Sequence, residues 1–125
     1  MRIKGIVWLG TRTERFDEMR DFLLRITGVE PRIDEPGFIV LDLASGDRLE
    51  VFGAREDEES FMVAPVAGFL VDDLEAARAE LIERGIEFLD ETQRAADGNC
   101  WSHFRAPDGH VYELTEQPGH PAHGT

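Results

Sequence analysis

The chain opens on an alternation of apolar and polar positions over residues 3–9, which predicts a strand, and then changes period. Over residues 12–26, Phe16, Met19, Phe22, Leu23 and Ile26 recur at helical spacing, so that stripe is read as core. Thr11 with Glu14 has the spacing of a capping box, and Gly28 supplies a left-handed stop. Three extended pieces follow, at residues 30–33, 38–44 and 48–53, the last two joined by a tight turn at Ser45, Gly46 and Asp47. The first half is therefore βαβββ.

The same order returns after a polar, mostly acidic connector at residues 54–60. An apolar strand is predicted at residues 63–71, then a helix with Leu74, Ala77, Leu81 and Ile82 inside, Asp72 and Glu75 as its capping box, and Gly85 at its end. Residues 87–89, 100–105 and 110–115 are the further strands. A polar loop at 90–99 and a turn at Pro107, Asp108 and Gly109 separate them. Each half closes on a hairpin with a mid-strand glutamate, Glu50 in one and Glu113 in the other. Internal repetition of this kind requires several local features to agree. The expected architecture is α+β, one domain over residues 1–125: a first βαβββ module at 3–53, a linker at 54–60, a second module at 61–116 and a flexible tail at 117–125.

Composition and charge narrow the function. The 125 residues hold 13 basic against 26 acidic side chains, a net charge of -13, which repels phosphate backbones and attracts cations. Nucleic acid is not an expected partner. No apolar run has the length to span a bilayer and no secretory signal opens the chain, so neither a membrane nor export is expected. The lone Cys100 cannot form an internal disulfide and agrees with a reducing, cytoplasmic setting.

Two stretches carry a family resemblance. Val71-Asp72-Asp73-Leu74-Glu75-Ala76-Ala77, followed by Leu81 and by Glu83-Arg84-Gly85-Ile86-Glu87-Phe88, resembles the fifth strand and second helix of vicinal-oxygen-chelate proteins. Phe104-Arg105-Ala106-Pro107-Asp108-Gly109-His110-Val111-Tyr112-Glu113-Leu114 is similar to that family's closing hairpin. The glyoxalase/bleomycin-resistance/dioxygenase resemblance spans residues 3–116. It implies two βαβββ modules forming a pair of half-barrels, and homodimerisation as a common way of closing them. It leaves the activity open, since the fold hosts lyases, isomerases, ring-cleaving dioxygenases, thiol transferases and metal-free drug-sequestering proteins.

Metal-dependent members take ligands from the first and last strands of each module. By register those four positions fall at Gly5, Glu50, Val66 and Glu113, and neither a glycine nor a valine side chain can donate to a metal. The resemblance therefore implies a metal site that is at least half missing.

Alternation along 100–105 places Phe104 towards the helix and Trp101, His103 and Arg105 on the opposite, cleft-lining face. Ile39, Leu41 and Leu43 form one face of their strand, which puts Asp42 on the other, beside Glu50. Trp8 and Trp101 offer flat surfaces for stacking a planar or cationic group, with core packing the plainer role for Trp8. The expected ligand-binding set is thus Trp8, Asp42, Glu50, Trp101, His103, Arg105 and Glu113. The main expectation is a small-molecule binding or sequestering protein without a cofactor, its ligand cationic or aromatic. The alternative is a divalent-metal enzyme of the glyoxalase or dioxygenase type with Glu50, His103 and Glu113 as a rearranged site, and a ligand-free interaction module is the blandest reading.

Overall fold

The computed structural model describes residues 1–54 and 61–125, so the expected connector lies, Ala54 apart, outside the described residues. Two compact units divide the chain, one of residues 8–66 and one of residues 1–7 with 67–125. The predicted βαβββ order is realised in both halves, with β1 (Ile6–Thr13), α1 (Phe16–Thr27), β2 (Ile33–Glu35), β3 (Phe38–Asp42) and β4 (Arg48–Gly53) in the first. The second half has β5 (Val66–Leu70), α2 (Leu74–Glu83), β6 (Gln93–Arg94), β7 (Cys100–Arg105) and β8 (Val111–Glu116). No described helix is long and apolar enough to cross a membrane.

In the first unit β2 pairs with β3 and β3 with β4, both antiparallel, while β1 lies parallel to β4. The β4 register sets Leu49 and Val51 towards α1, where Phe16, Ile39, Leu41 and Val51 form a buried cluster against Met19, Leu23 and Leu24. Each aliphatic side chain so buried contributes roughly 1.5–3 kcal/mol.

The helix stripe is narrower than its spacing predicts, and α1 begins at Phe16 and not near residue 12. Phe22 and Ile26 turn to solvent, 49% and 60% exposed. Phe22 stands about 120° around the helix from Phe16, off the buried face. Thr11 cannot form the predicted capping box because it is inside β1, paired with Val51. The Thr13 hydroxyl instead accepts from the Arg15 backbone N–H at 3.0 Å. Gly28 ends the helix as predicted, at a φ of 65° that a β-carbon would strain.

The second unit pairs β5 with β8 in parallel, and β8 with β7 and β7 with β6 antiparallel. Leu70 extends this sheet to the N-terminal segment: its carbonyl accepts from the Lys4 N–H, and its own N–H donates to the Gly5 carbonyl, both at 2.9 Å. Residues 1–7 thus belong with the second half, which the sequence modules did not separate from the first. Val71, Leu74, Ala77, Cys100 and Leu114 are the buried centre under α2. Beside them Phe69 and Phe104 both stack on Tyr112, with ring centroids at 5.4 and 6.2 Å. Ile82, expected inside, is 47% exposed.

The cap of α2 is Asp73, one residue later than predicted; its carboxylate accepts from the Ala76 N–H at 3.0 Å. Glu116 accepts from the Leu74 N–H at 2.8 Å. Asp72 is taken up elsewhere, by Lys4 Nζ at 2.9 and 3.0 Å and by the Gly124 N–H at 2.8 Å. Those bonds hold its carboxyl below the usual carboxylate range, the Gly124 bond foremost. They also tie down the tail at 117–125, which the sequence reads as free. The expected strand at 87–89 reduces to a single bridge, Phe88 to Phe104, and the polar loop at 90–99 contains the short β6.

Caps and strand threonines respond differently to truncation. Asp73→Ala is expected to cost about 1 kcal/mol through the lost cap, and Thr11→Ala less than half as much. Urea unfolding of the two variants checks the order.

Candidate ligand-binding site

The residues singled out from the sequence fall into two groups, one in each unit. In the first, Trp8 pairs with Arg48 and Gly10 with Glu50 across β1 and β4, and Asp42 pairs with Arg48 across β3 and β4. Asp42 and Glu50 thus share the sheet face opposite α1, as alternation predicts, and Trp8 lies on that face with them. The indole lies flat over Gly10, where an added β-carbon would come within 2.0 Å of Trp8 Cη2. Asp42 and Glu50 do not stand as an uncompensated acidic pair. Arg48 Nε is 2.9 Å from Asp42 and its Nη1 is 3.9 Å from Glu50, and Arg32 approaches Asp42 at 3.5 Å.

In the second unit, β7 and β8 bring His103 opposite Glu113 in antiparallel register, and Glu113 opposite Gly68 on β5. His103 Nε2 meets Glu113 Oε2 at 3.0 Å, and its Nδ1 meets Asp90 Oδ2 at 2.7 Å. The imidazole is 3% exposed and Glu113 5%. Burial opposes a charge on this ring, but the bonds to Asp90 and Glu113 outweigh it and push its pKa up to about 9. At neutral pH His103 is an imidazolium held between two carboxylates.

Asp90 is the member of this cluster that the sequence reading does not single out. It lies in the polar loop just past the 87–89 segment and carries no motif of its own. Its carboxylate accepts from the His103 backbone N–H at 2.7 Å, from Ser102 Oγ at 3.0 Å and from Gln93 Nε2 at 2.8 Å. Its carbonyl accepts from Arg78 Nη2 at 2.9 Å, and that guanidinium lies over the Phe88 ring, 5.0 Å from its centroid. Burial raises the Asp90 pKa, yet the bonds from His103 and Ser102 prevail and hold it below the ordinary range.

Trp101 is half-buried on the same face, opposite Gln93 on one side and Thr115 on the other. Arg105 shares the face but is exposed, and its Nη1 donates to the Gly109 carbonyl at 2.7 Å across the hairpin turn.

These donors do not fit the metal centre that the family resemblance implies. Gly5 and Val66 bring no donor atom to their two positions, and Glu113 Oε2 is engaged by His103. Among the described residues no group of three or more histidine, cysteine, aspartate or glutamate side chains is arranged to hold an ion.

The raised imidazole pKa fixes the sign of a pH effect. A histidine that titrates at about 9 when folded and near its ordinary 6.5 when unfolded adds stability that is complete below pH 6.5 and is lost as pH rises through 9. Chemical unfolding across pH 6 to 9.5 is expected to show a decline on the order of 2–3 kcal/mol. His103→Leu, which leaves two buried carboxylates facing each other, should lose roughly 3 kcal/mol at neutral pH and abolish that alkaline slope.

Comparison with known proteins agrees with the doubled architecture. The model of the Glyoxalase/Bleomycin resistance protein/Dioxygenase superfamily matches residues 5–114. No curated protein matches the chain. A Streptomyces coelicolor methylmalonyl-CoA epimerase variant in complex with 2-nitronate-propionyl-CoA is similar at a TM-score of 0.69 and 21% identity, over 93% of this chain and 99% of that one. A methylmalonyl-CoA epimerase in complex with methylmalonyl-CoA and NH4+ gives 0.70 at 20% identity, over 95% and 98%. A superfamily member from Vibrio splendidus 12B01 gives 0.66 at 17% identity, over 90% and 98%. At such identities the structural likeness speaks for the fold, and the family match speaks for descent. The chain belongs to the glyoxalase/bleomycin resistance protein/dioxygenase superfamily.

Proposed function

We propose that this protein binds a small planar, cationic ligand without a metal, on the sheet face that carries Trp101. The observation that carries this reading is the fate of Glu113. It stands where metal-dependent relatives place a ligand, but here it is buried and paired with the His103 imidazolium. Gly5 and Val66 supply no replacement donor. What the face offers is a half-buried indole beside a cluster of buried charge, and the whole chain carries -13, a field that draws cations towards it.

A second reading has one observation in its favour. An imidazole hydrogen-bonded to a carboxylate at each nitrogen is an acid–base arrangement, and proteins of similar fold include methylmalonyl-CoA epimerases. At 3% and 5% exposure, however, His103 and Glu113 present little surface to a reacting carbon. Binding is the better supported use.

Thermal unfolding with proflavine, a planar aromatic cation, tests the proposal. A ligand at a hundred times its Kd stabilises by about 2.7 kcal/mol, which raises Tm by roughly 5 °C or more. The expected rise persists in excess chelator and disappears in Trp101→Ala. One tightly held zinc or manganese per chain, lost in Glu113→Ala, would sink the metal-free reading. Deuterium uptake by methylmalonyl-CoA in heavy water, absent from His103→Gln, would replace binding with catalysis.

A further inference from the structure

A glycine inside a strand gives up side-chain packing and costs backbone entropy, so its place there calls for a spatial reason. Gly10 of β1 has one. Its backbone lies outside the left-handed region that demands glycine, so conformation does not require it. Space does. A β-carbon at Gly10 would stand 2.0, 2.3 and 2.8 Å from Cη2, Cζ2 and Cζ3 of Trp8, within the benzo ring of the indole. That ring therefore rests on the strand backbone, and Gly10 is buried beneath it.

The other face of the indole is not used in packing. Trp8 is only half-buried and belongs to neither apolar cluster, and among the described residues no aromatic ring or cation stacks on it. Its cross-strand partner is Arg48, whose Nε donates to Asp42 at 2.9 Å. Arg48 Nη1 stands 3.9 Å from Glu50, beyond hydrogen-bond reach. The outer N–H groups of this guanidinium thus lie beside the indole without an acceptor among the described residues.

We propose that Trp8 and Arg48 form a second binding site, for neutral planar aromatic carbonyl compounds. The ligand ring stacks on the outer face of the indole, and an Arg48 Nη group donates to the carbonyl oxygen. An indole held flat by the strand is a preset stacking surface, so little freedom is lost on binding. Arg48 has donors only, so its ligand must carry an acceptor. A neutral carbonyl provides one without the repulsion that a net charge of -13 imposes on an anion. The site lies wholly within the first unit and is independent of the face that carries Trp101.

Trp8 and Trp101 are the two tryptophans of the chain, so Trp101→Phe leaves Trp8 as its sole indole reporter. Acridone, a neutral planar ring with one carbonyl, absorbs where tryptophan emits and serves as the probe. Titrated into Trp101→Phe, it is expected to quench Trp8 emission saturably. Adding Gly10→Ala, which lifts the indole off the strand, should weaken binding about tenfold or more. Arg48→Met keeps the length of the side chain and removes its donors, and should weaken binding about fivefold. Trp8→Leu in the same Trp101→Phe background, followed by the polarisation of acridone's own emission, should lose the site and covers the case in which Gly10→Ala does not fold. Binding left unchanged by Gly10→Ala, by Trp8→Leu or by Arg48→Met overturns the proposal. Native protein that binds acridone while Trp101→Phe does not assigns the dye to the Trp101 face and overturns this site alone. Absence of saturable binding also overturns it, and leaves the proflavine reading of the Trp101 face standing.

Discussion

One buried imidazolium between two carboxylates orders the second half of this protein. An isolated carboxylate as buried as Glu113 would surrender its charge to a proton, since desolvation penalises the ion by several kcal/mol. His103 removes that need by donating at both ring nitrogens, and Asp90 returns the favour by stabilising the charged ring. The arrangement binds three separate pieces of chain, the loop after residue 89, β7 and β8, into one unit. Loss of any one member leaves a charge or a donor stranded away from water. Buried ion clusters of this kind give little net stability over an apolar core and more readily fix which groups meet. Here what they fix is the border of Trp101.

The rest of the second unit supports that cluster from behind. Arg78 on α2 holds the Asp90 carbonyl and the Ser102 hydroxyl while its guanidinium covers Phe88. Phe88 leans on Phe104, which packs with Tyr112, so the helix-side aromatic ladder and the cleft-side charges are opposite faces of the same two strands. A period-two strand makes this possible: Tyr112 and Leu114 go to the core while Glu113 goes the other way. Glu113 is thereby part of an internal salt link with His103. In the first unit Arg48 does for Asp42 and Glu50 what His103 does in the second, at a more exposed position.

Much of this was legible in the residues. The repeated order of elements, the limits of β4 and β7 and the Gly28 stop follow from hydrophobic period and turn chemistry. Alternation alone placed Trp101, His103 and Arg105 together and Phe104 opposite. Helix starts were less legible: one residue separates Asp72 from Asp73, both able to cap, and only the competing partners of Asp72 decide between them. Exposure of Phe22 and Ile26 was hidden for another reason: spacing shows that residues share a stripe, and not how much of that stripe's width the sheet covers.

The sequence by itself determined the doubled α+β plan, the faces of the strands and the absence of donors at Gly5 and Val66, because each depends on residue type and short-range periodicity. Only the tertiary structure decided that Asp90 reaches His103 and that Arg48 stands between Asp42 and Glu50. It also decided that the tail returns to Asp72. Those are contacts between side chains or termini brought together by strand register and loop path. A hydrogen bond spanning 13 residues from Asp90 to His103, or 52 from Asp72 to Gly124, leaves no periodic trace in the chain that makes it.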